Sequence, residues 1–152
     1  MIPLLEKLPE VGQLGVVVKD REKAISYYSR VFNIGDWNRV DYVPETAMWN
    51  GKKTFFKFKL AFADTAKLNW ELVEIAEGEI QHKEFLQKTG GGVHHLGFWV
   101  EDLDEWKEYF RKKGVEAIME FEGIVGSRGR RRVVFFDTSS SGFLLEFIKI
   151  YD

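Results

Sequence analysis

Two carboxylates interrupt otherwise apolar stretches of this chain: Glu71 in Asn69-Trp70-Glu71-Leu72-Val73, and Glu146 in Leu144-Leu145-Glu146-Phe147-Ile148. Strand alternation sets Glu71 on one face with Val73 and Ile75, and Glu146 on one face with Leu144 and Ile148. A carboxylate among such neighbours is costly unless it is neutralised, paired or bound to a metal. Two more donor side chains occupy matched places in an internal repeat. Gln13-Leu14-Gly15-Val16-Val17-Val18-Lys19-Asp20 aligns residue for residue with His95-Leu96-Gly97-Phe98-Trp99-Val100-Glu101-Asp102, and Tyr27-Tyr28 then falls on Tyr109-Phe110. If a pseudo-twofold axis relates the halves, Gln13, Glu71, His95 and Glu146 meet at one centre. One amide oxygen, two carboxylates and one imidazole suit one divalent cation, such as zinc, nickel, cobalt or manganese, at roughly 2.0 to 2.2 Å. Positions for water or substrate stay open.

Each of these residues has a plainer reading when taken singly. Gln13 is an ordinary strand residue, and Glu71 and Glu146 pair with Lys57, Lys59 or Lys149. By alternation His94 points to the face opposite His95 and serves as a structural or supporting group. The repeat favours the joint reading, because it sets all four donors at matched positions. A centre of this kind suits proton removal next to a carbonyl, which needs a Lewis acid on the developing enolate oxygen and a base within reach of the carbon.

The elements that must position these residues are legible from caps and period. Asp20 and Asp102 are N-cap residues, and Glu105 completes a capping-box pattern with Asp102. Helical spacing follows in Ala24, Ile25, Tyr28, Val31 and Phe32, and again in Leu103, Trp106 and Phe110; Gly35 and Gly114 are placed to end the two helices. The segments 37–43, 54–62, 68–75, 117–121, 132–136 and 143–150 are rich in aromatic and β-branched residues and read as strands. The order βαβββ therefore occurs twice, with module one at about 11–76 and module two at about 93–150. Between them, Glu77 to Gly92 reads as a short helix and a flexible joint ending in Gly90-Gly91-Gly92. The whole, 1–152, reads as one α+β domain.

Composition bounds the rest. With 152 residues, 45% of them apolar, the chain is long enough for one buried core. A formal net charge of −2 lacks the basic excess that a phosphate backbone demands, so nucleic acid is not an expected partner. The absence of cysteine excludes disulfides, thiolate metal sites and Cys nucleophiles. Pro3, Glu6, Lys7, Pro9 and Glu10 break any apolar run of signal-peptide length, and no stretch approaches a membrane span. A soluble cytoplasmic protein is expected.

The stretch from Glu84-Phe85-Leu86 through Gly91-Gly92-Val93-His94-His95-Leu96-Gly97-Phe98 to Val100-Glu101-Asp102-Leu103 resembles the vicinal oxygen chelate superfamily. That superfamily includes lactoylglutathione lyase, methylmalonyl-CoA epimerase, extradiol dioxygenases and bleomycin-binding proteins. Gly142-Phe143-Leu144-Leu145-Glu146 resembles the closing metal-ligand strand of the superfamily. The resemblance implies paired βαβββ modules in an open, metal-centred barrel, and a homodimer. It also implies proton transfer next to the carbonyl of an acyl thioester, as in methylmalonyl-CoA epimerase. Glu146 is then the principal base and Glu71 its opposite-face partner.

Two departures bear on the reaction. Epimerases carry His and Gln where this chain has Gln13 and Glu71, and its donor set is closer to that of lactoylglutathione lyases, which act on a hemithioacetal. The extra glutamate base of the epimerases has no counterpart in 54–62, where Lys57 and Lys59 are the ionisable groups. The two-His, one-carboxylate iron site of the dioxygenases is not met, since Gln13 stands where a His is needed. The tract Ser127-Arg128-Gly129-Arg130-Arg131-Arg132 is either a solvated hairpin turn or a binding site for the phosphates of coenzyme A or the carboxylates of glutathione, through Arg128, Arg130 and Arg131. A reading from another class is a non-catalytic protein that holds a small apolar ligand with Trp37, Trp49, Trp70 and Trp99.

Overall fold

The computed structural model describes residues 7–151, so Met1 to Glu6, which open the segment read above as unlike a signal peptide, lie outside the described residues. The chain runs β1 (Gln13–Val17), α1 (Arg21–Val31), β2 (Asn38–Tyr42), β3 (Thr46–Trp49), β4 (Lys52–Lys53), β5 (Phe56–Asp64), β6 (Asn69–Gly78), α2 (Gln81–Thr89), β7 (Gly92–Trp99), α3 (Leu103–Lys112), β8 (Ala117–Ile124), β9 (Arg130–Phe136) and β10 (Leu144–Ile150). Both expected N-caps form, with Asp20 accepting from the Lys23 N–H and Asp102 from the Glu105 N–H. Gly114 follows α3 in the left-handed region, φ +77°. The first helix ends before Gly35: Asn33, φ +56°, takes the left-handed position after it, a role its short polar side chain tolerates.

The ten strands form one sheet in the order β2-β5-β6-β1-β7-β10-β9-β8-β3-β4. Its centre carries the repeat. The antiparallel pair β1 and β7 is flanked by parallel partners, β6 on β1 and β10 on β7, so each module contributes its first and last strand to the middle of the sheet. The hairpin β3–β4 was not evident in the sequence, and it breaks the symmetry. It follows β2 in the chain but pairs with β8 of the other module, Ala47 opposite Phe121. Val43-Pro44-Glu45 thus carries the chain from one edge of the curled sheet to the other. Glu45 secures that crossing through its N–H on the Glu122 carbonyl and a bidentate ion pair with Arg130.

The two faces of the curled sheet bury different cores. Inside lie Val17, Phe56, Phe58, Leu60, Phe62, Val73, Phe121, Phe135, Leu144 and Ile148. Outside, α1 covers module one through Ile25 against Val16, Ala61 and Leu72, and α3 covers module two through Leu103, Trp106 and Phe110 against Phe98, Phe136 and Phe147. Lys57 and Lys59 alternate outward from β5, and Lys59 approaches Glu74 at 3.9 Å. No helix among the described residues is long and apolar enough to cross a membrane.

Phe147 anchors the α3 layer, fully buried, stacked on Phe98 at 5.1 Å and edge-on to Phe110 and Phe136. Phe147→Ala is expected to cost about 3–5 kcal/mol in urea denaturation, the range for a large aromatic deleted from a packed core. A loss below about 1 kcal/mol would show that the layer contributes little.

Candidate metal centre

The register of the central strands sets the expected donors in two rows. Gln13 lies opposite Gly97, which lies opposite Glu146; Glu71 lies opposite Gly15, which lies opposite His95. Each row has a glycine at its middle, and the two glycines occupy matched places in the repeat. A Cβ at Gly15 would sit 2.0 Å from the His95 ring, and one at Gly97 would sit 3.1 Å from Gln13 Oε1 and 3.2 Å from Glu146 Oε1. The missing side chains leave the space into which the donors fold.

The four donors converge. His95 Nε2 lies 3.1 Å from Glu71 Oε1 and 3.5 Å from Glu146 Oε1, and one donor atom from each of these three residues lies within 4.8 Å of the others. Gln13, Glu71, His95 and Glu146 are all buried. Burial alone would lower the proton affinity of His95, but the charge of Glu146 and the hydrogen bond with Glu71 outweigh it and raise the pKa. Burial pushes the Glu146 carboxyl well above the usual carboxylate range, against the pull of His95 and with the added repulsion of Glu71.

Supporting groups aim these atoms. The Asp64 carboxylate only accepts, so the Asn69 amide turns its NH₂ toward it, at 2.9 Å, and its oxygen toward Gln13. Gln13 donates its Nε2 to that oxygen at 3.0 Å, which leaves Gln13 Oε1 beside Glu146 Oε1 with no partner among the described residues. On the other side, Gln81 Oε1 lies 2.6 Å from His94 Nε2, and His94 Nδ1 lies 2.8 Å from His95 Nδ1. With Gln81 accepting and His94 neutral, His95 donates through Nδ1, so Nε2 is the atom that carries the proton toward Glu71 and that, once deprotonated, would face a cation. Burial, and then the neighbouring histidines, hold His94 well below the ordinary imidazole pKa. The contact corrects the expected direction of His94. A β-bulge between the Gly15 and Val16 pairings removes His94 from the alternation and turns it inward beside His95.

The unpartnered Gln13 Oε1 and Glu146 Oε1, the glycine-made space and the mixed O and N donors fit a divalent ion. Above the centre lies a cavity with about 50 Å³ of enclosed free space under an open mouth. Its wall includes Tyr42, Phe58, Phe62, His82, Trp99, Arg128 and Arg131 together with Gln13, Glu71 and Glu146. Of the arginine tract, Arg128 lies over the Phe62 ring at 4.2 Å, and neither it nor Arg131 has a carboxylate partner among the described residues. Arg130 is elsewhere, held by Glu45 and Glu122, and Arg132 pairs with Glu120. Of the four tryptophans, Trp99 alone lines this cavity; Trp37 and Trp70 pack with Tyr28 on the outer face, and Trp49 lines a separate surface groove.

The pattern of the glyoxalase/bleomycin resistance protein/dioxygenase superfamily matches residues 12–135. The chain belongs to that superfamily. Solved structures share this glyoxalase-type fold. A hypothetical protein from Bacillus halodurans C-125 is 22% identical with TM-score 0.68, over 94% of this chain and 95% of that one. Methylmalonyl-CoA epimerase from Mycobacterium tuberculosis is 19% identical with TM-score 0.62, over 93% and 88%. A variant Streptomyces coelicolor methylmalonyl-CoA epimerase in complex with 2-nitronate-propionyl-CoA is 23% identical with TM-score 0.64, over 95% and 96%. No curated protein sequence matches the chain significantly. At these identities the likeness carries the fold.

The sequence reading missed Asn69, Gln81, Tyr42 and His82. The paired glycines were visible in the repeat, whereas Tyr42 and His82 reach the cavity from an edge strand and the linker helix and left no local signal.

Metal analysis is expected to find one divalent ion per chain, and verified chelation to lower the melting temperature. Asn69→Ala frees the Gln13 amide to rotate, so metal affinity should fall about 10–100-fold, the range for lost supporting partners. An unchanged melting temperature after confirmed metal removal would count against the site.

Proposed function

We propose that this protein is a metal-dependent proton-transfer enzyme acting next to the carbonyl of an acyl thioester, in the manner of methylmalonyl-CoA epimerase. The observation that carries the reading is the convergence of Glu71, His95 and Glu146 beside the unpartnered Gln13 oxygen at the base of one cavity. The epimerases among the similar folds, one of them in complex with an acyl-CoA analogue, support the substrate class.

Gln13, Glu71, His95 and Glu146 would hold the ion. A bound divalent ion, whether zinc, nickel, cobalt or manganese, supplies Lewis acidity toward the carbonyl oxygen beside the carbon acid. Glu146 takes the proton as principal base and returns it to the same carbon. Glu71 enters from the other module and serves the opposite face of the carbon. Arg128 and Arg131, two neighbouring cations without anionic partners among the described residues, meet the anionic part of the ligand at the mouth. The ion pairs of Arg130 with Glu45 and Glu122 leave it out of this role.

The testing experiment is deuterium uptake from solvent at the α-carbon of methylmalonyl-CoA on metal-loaded protein, beside turnover of the methylglyoxal–glutathione adduct. The donor set, with its resemblance to lactoylglutathione lyases, sustains hemithioacetal isomerisation as the second reading, and turnover of that adduct alone would select it. Glu146→Gln keeps an oxygen donor and nearly the same volume, so it should retain metal and lose exchange by about 10²-fold or more. Full exchange in that variant with its metal confirmed would overturn the assignment.

We also propose a soluble homodimer. Tyr27, Val31 and Phe32 lie about half exposed together at the end of α1, at 50%, 48% and 49%, an apolar surface suited to isologous pairing. Light scattering should report twice the chain mass at micromolar concentration, and Val31→Glu should shift it to the monomer. A wild-type monomer throughout that range would remove the proposal.

A further inference from the structure

The wall of the cavity across from the metal-centre strands carries a polar atom that the proposed chemistry does not use. Tyr42 is 2% exposed, and its hydroxyl has no hydrogen-bond partner among the described residues. Its ring is well accounted for: it closes the seam between the sheet edges, 6.1 Å from Phe121 of β8 and 6.3 Å from Phe56 of β5. The hydroxyl is not. A buried phenol without a partner destabilises the folded chain relative to phenylalanine at the same place, so a seam alone would be better served by Phe. Room is nevertheless kept for it, because a Cβ at Gly123 would come within 3.1 Å of the hydroxyl and 3.2 Å of the ring.

Tyr42 lines the cavity that Gln13, Glu71 and Glu146 line from the metal side. The free space of the cavity, about 50 Å³, has room for a small oxygen-bearing group between the two walls. The carboxylates supply only acceptors on the metal side, Arg128 and Arg131 supply donors at the mouth, and Phe58, Leu60, Phe62, Phe121 and Val133 make much of the remaining wall apolar. A hydroxyl in such surroundings is a hydrogen-bond donor to an oxygen that arrives with the ligand.

We propose that Tyr42 is a ligand-contacting residue whose hydroxyl donates a hydrogen bond to an oxygen of the molecule bound at the metal centre, on the side away from the metal ligands. Tyr42 then selects ligands with a second oxygen beyond the one directed at the centre. The inference rests on the functional reading above only in taking this cavity as the ligand site; it does not depend on the thioester.

The test compares wild type with Tyr42→Phe in three measurements on metal-loaded protein, metal content being confirmed before and after. Oxalate, a small ligand with oxygens on both carbons, is titrated by calorimetry; deuterium exchange into methylmalonyl-CoA is followed as kcat and KM; melting is recorded without ligand. Tyr42→Phe should bind oxalate about five- to tenfold more weakly, the effect of one lost neutral hydrogen bond, while melting no lower than wild type. Where wild type exchanges methylmalonyl-CoA, the variant should lose a similar factor in kcat/KM. Weakened oxalate binding by Tyr42→Phe, together with a wild type that does not exchange methylmalonyl-CoA, would retire the thioester reading and leave Tyr42 in place. Oxalate affinity and exchange both within twofold of wild type, or a wild type that binds no oxalate, would overturn the inference. Lower melting with unchanged oxalate affinity would likewise assign Tyr42 to the seam alone.

Discussion

Two carboxylates and one imidazole are buried within a few ångströms of one another inside a sheet whose other inward side chains are almost all apolar. That concentration of charge is the constraint on which the remaining structure depends. One histidine cannot neutralise both Glu71 and Glu146, and no lysine or arginine among the described residues forms an ion pair with either: Lys57 and Lys59 project outward, and Arg130 and Arg132 are paired elsewhere. Two buried carboxylates beside an orphan amide oxygen supply the donors of a cation site.

The same constraint explains the glycines and the supporting groups. Four donors can face one point from four adjacent strands only if the positions between them are empty, and Gly15 and Gly97 provide that emptiness at equivalent places in the two modules. Each polar atom at the edge of the centre is then turned by a partner farther out. Asp64 acts through Asn69 on Gln13, and Gln81 acts through His94 on His95. Both relays start from less buried side chains, where water can satisfy the groups that the interior cannot.

Closure of the sheet gives the centre its cavity. Module one and module two meet through β1 and β7 on the metal side, and on the far side the crossing at Val43-Pro44-Glu45 joins β2 to the β8 edge. The Glu45–Arg130 pair fastens that crossing on the outside, and Tyr42 with Phe121 fills it on the inside. The arginine tract is thereby divided by geometry: Arg130 and Arg132 fasten elements together, while Arg128 and Arg131 line the mouth without a carboxylate partner among the described residues.

The sequence by itself determined the repeat, the caps of α1 and α3 and the long strands of both modules, and it marked Gln13, Glu71, His95 and Glu146 as candidate donors. These depend on period and short-range hydrogen bonds, and the repeat makes two weak local patterns into one strong one. Glu71 and Glu146 announced themselves as charges in apolar strands, and Gln13 and His95 by matched position. Tertiary structure alone decided the inward turn of His94, since a bulge depends on how β1 and β7 pair and not on the residues beside it. It also decided the seat of β3 and β4, whose short, mixed segments become strands only because β8 offers them an edge. The place of Tyr42 was decided in the same way: period assigns it a face, but only the meeting of two sheet edges far apart in the chain makes that face the wall of a cavity.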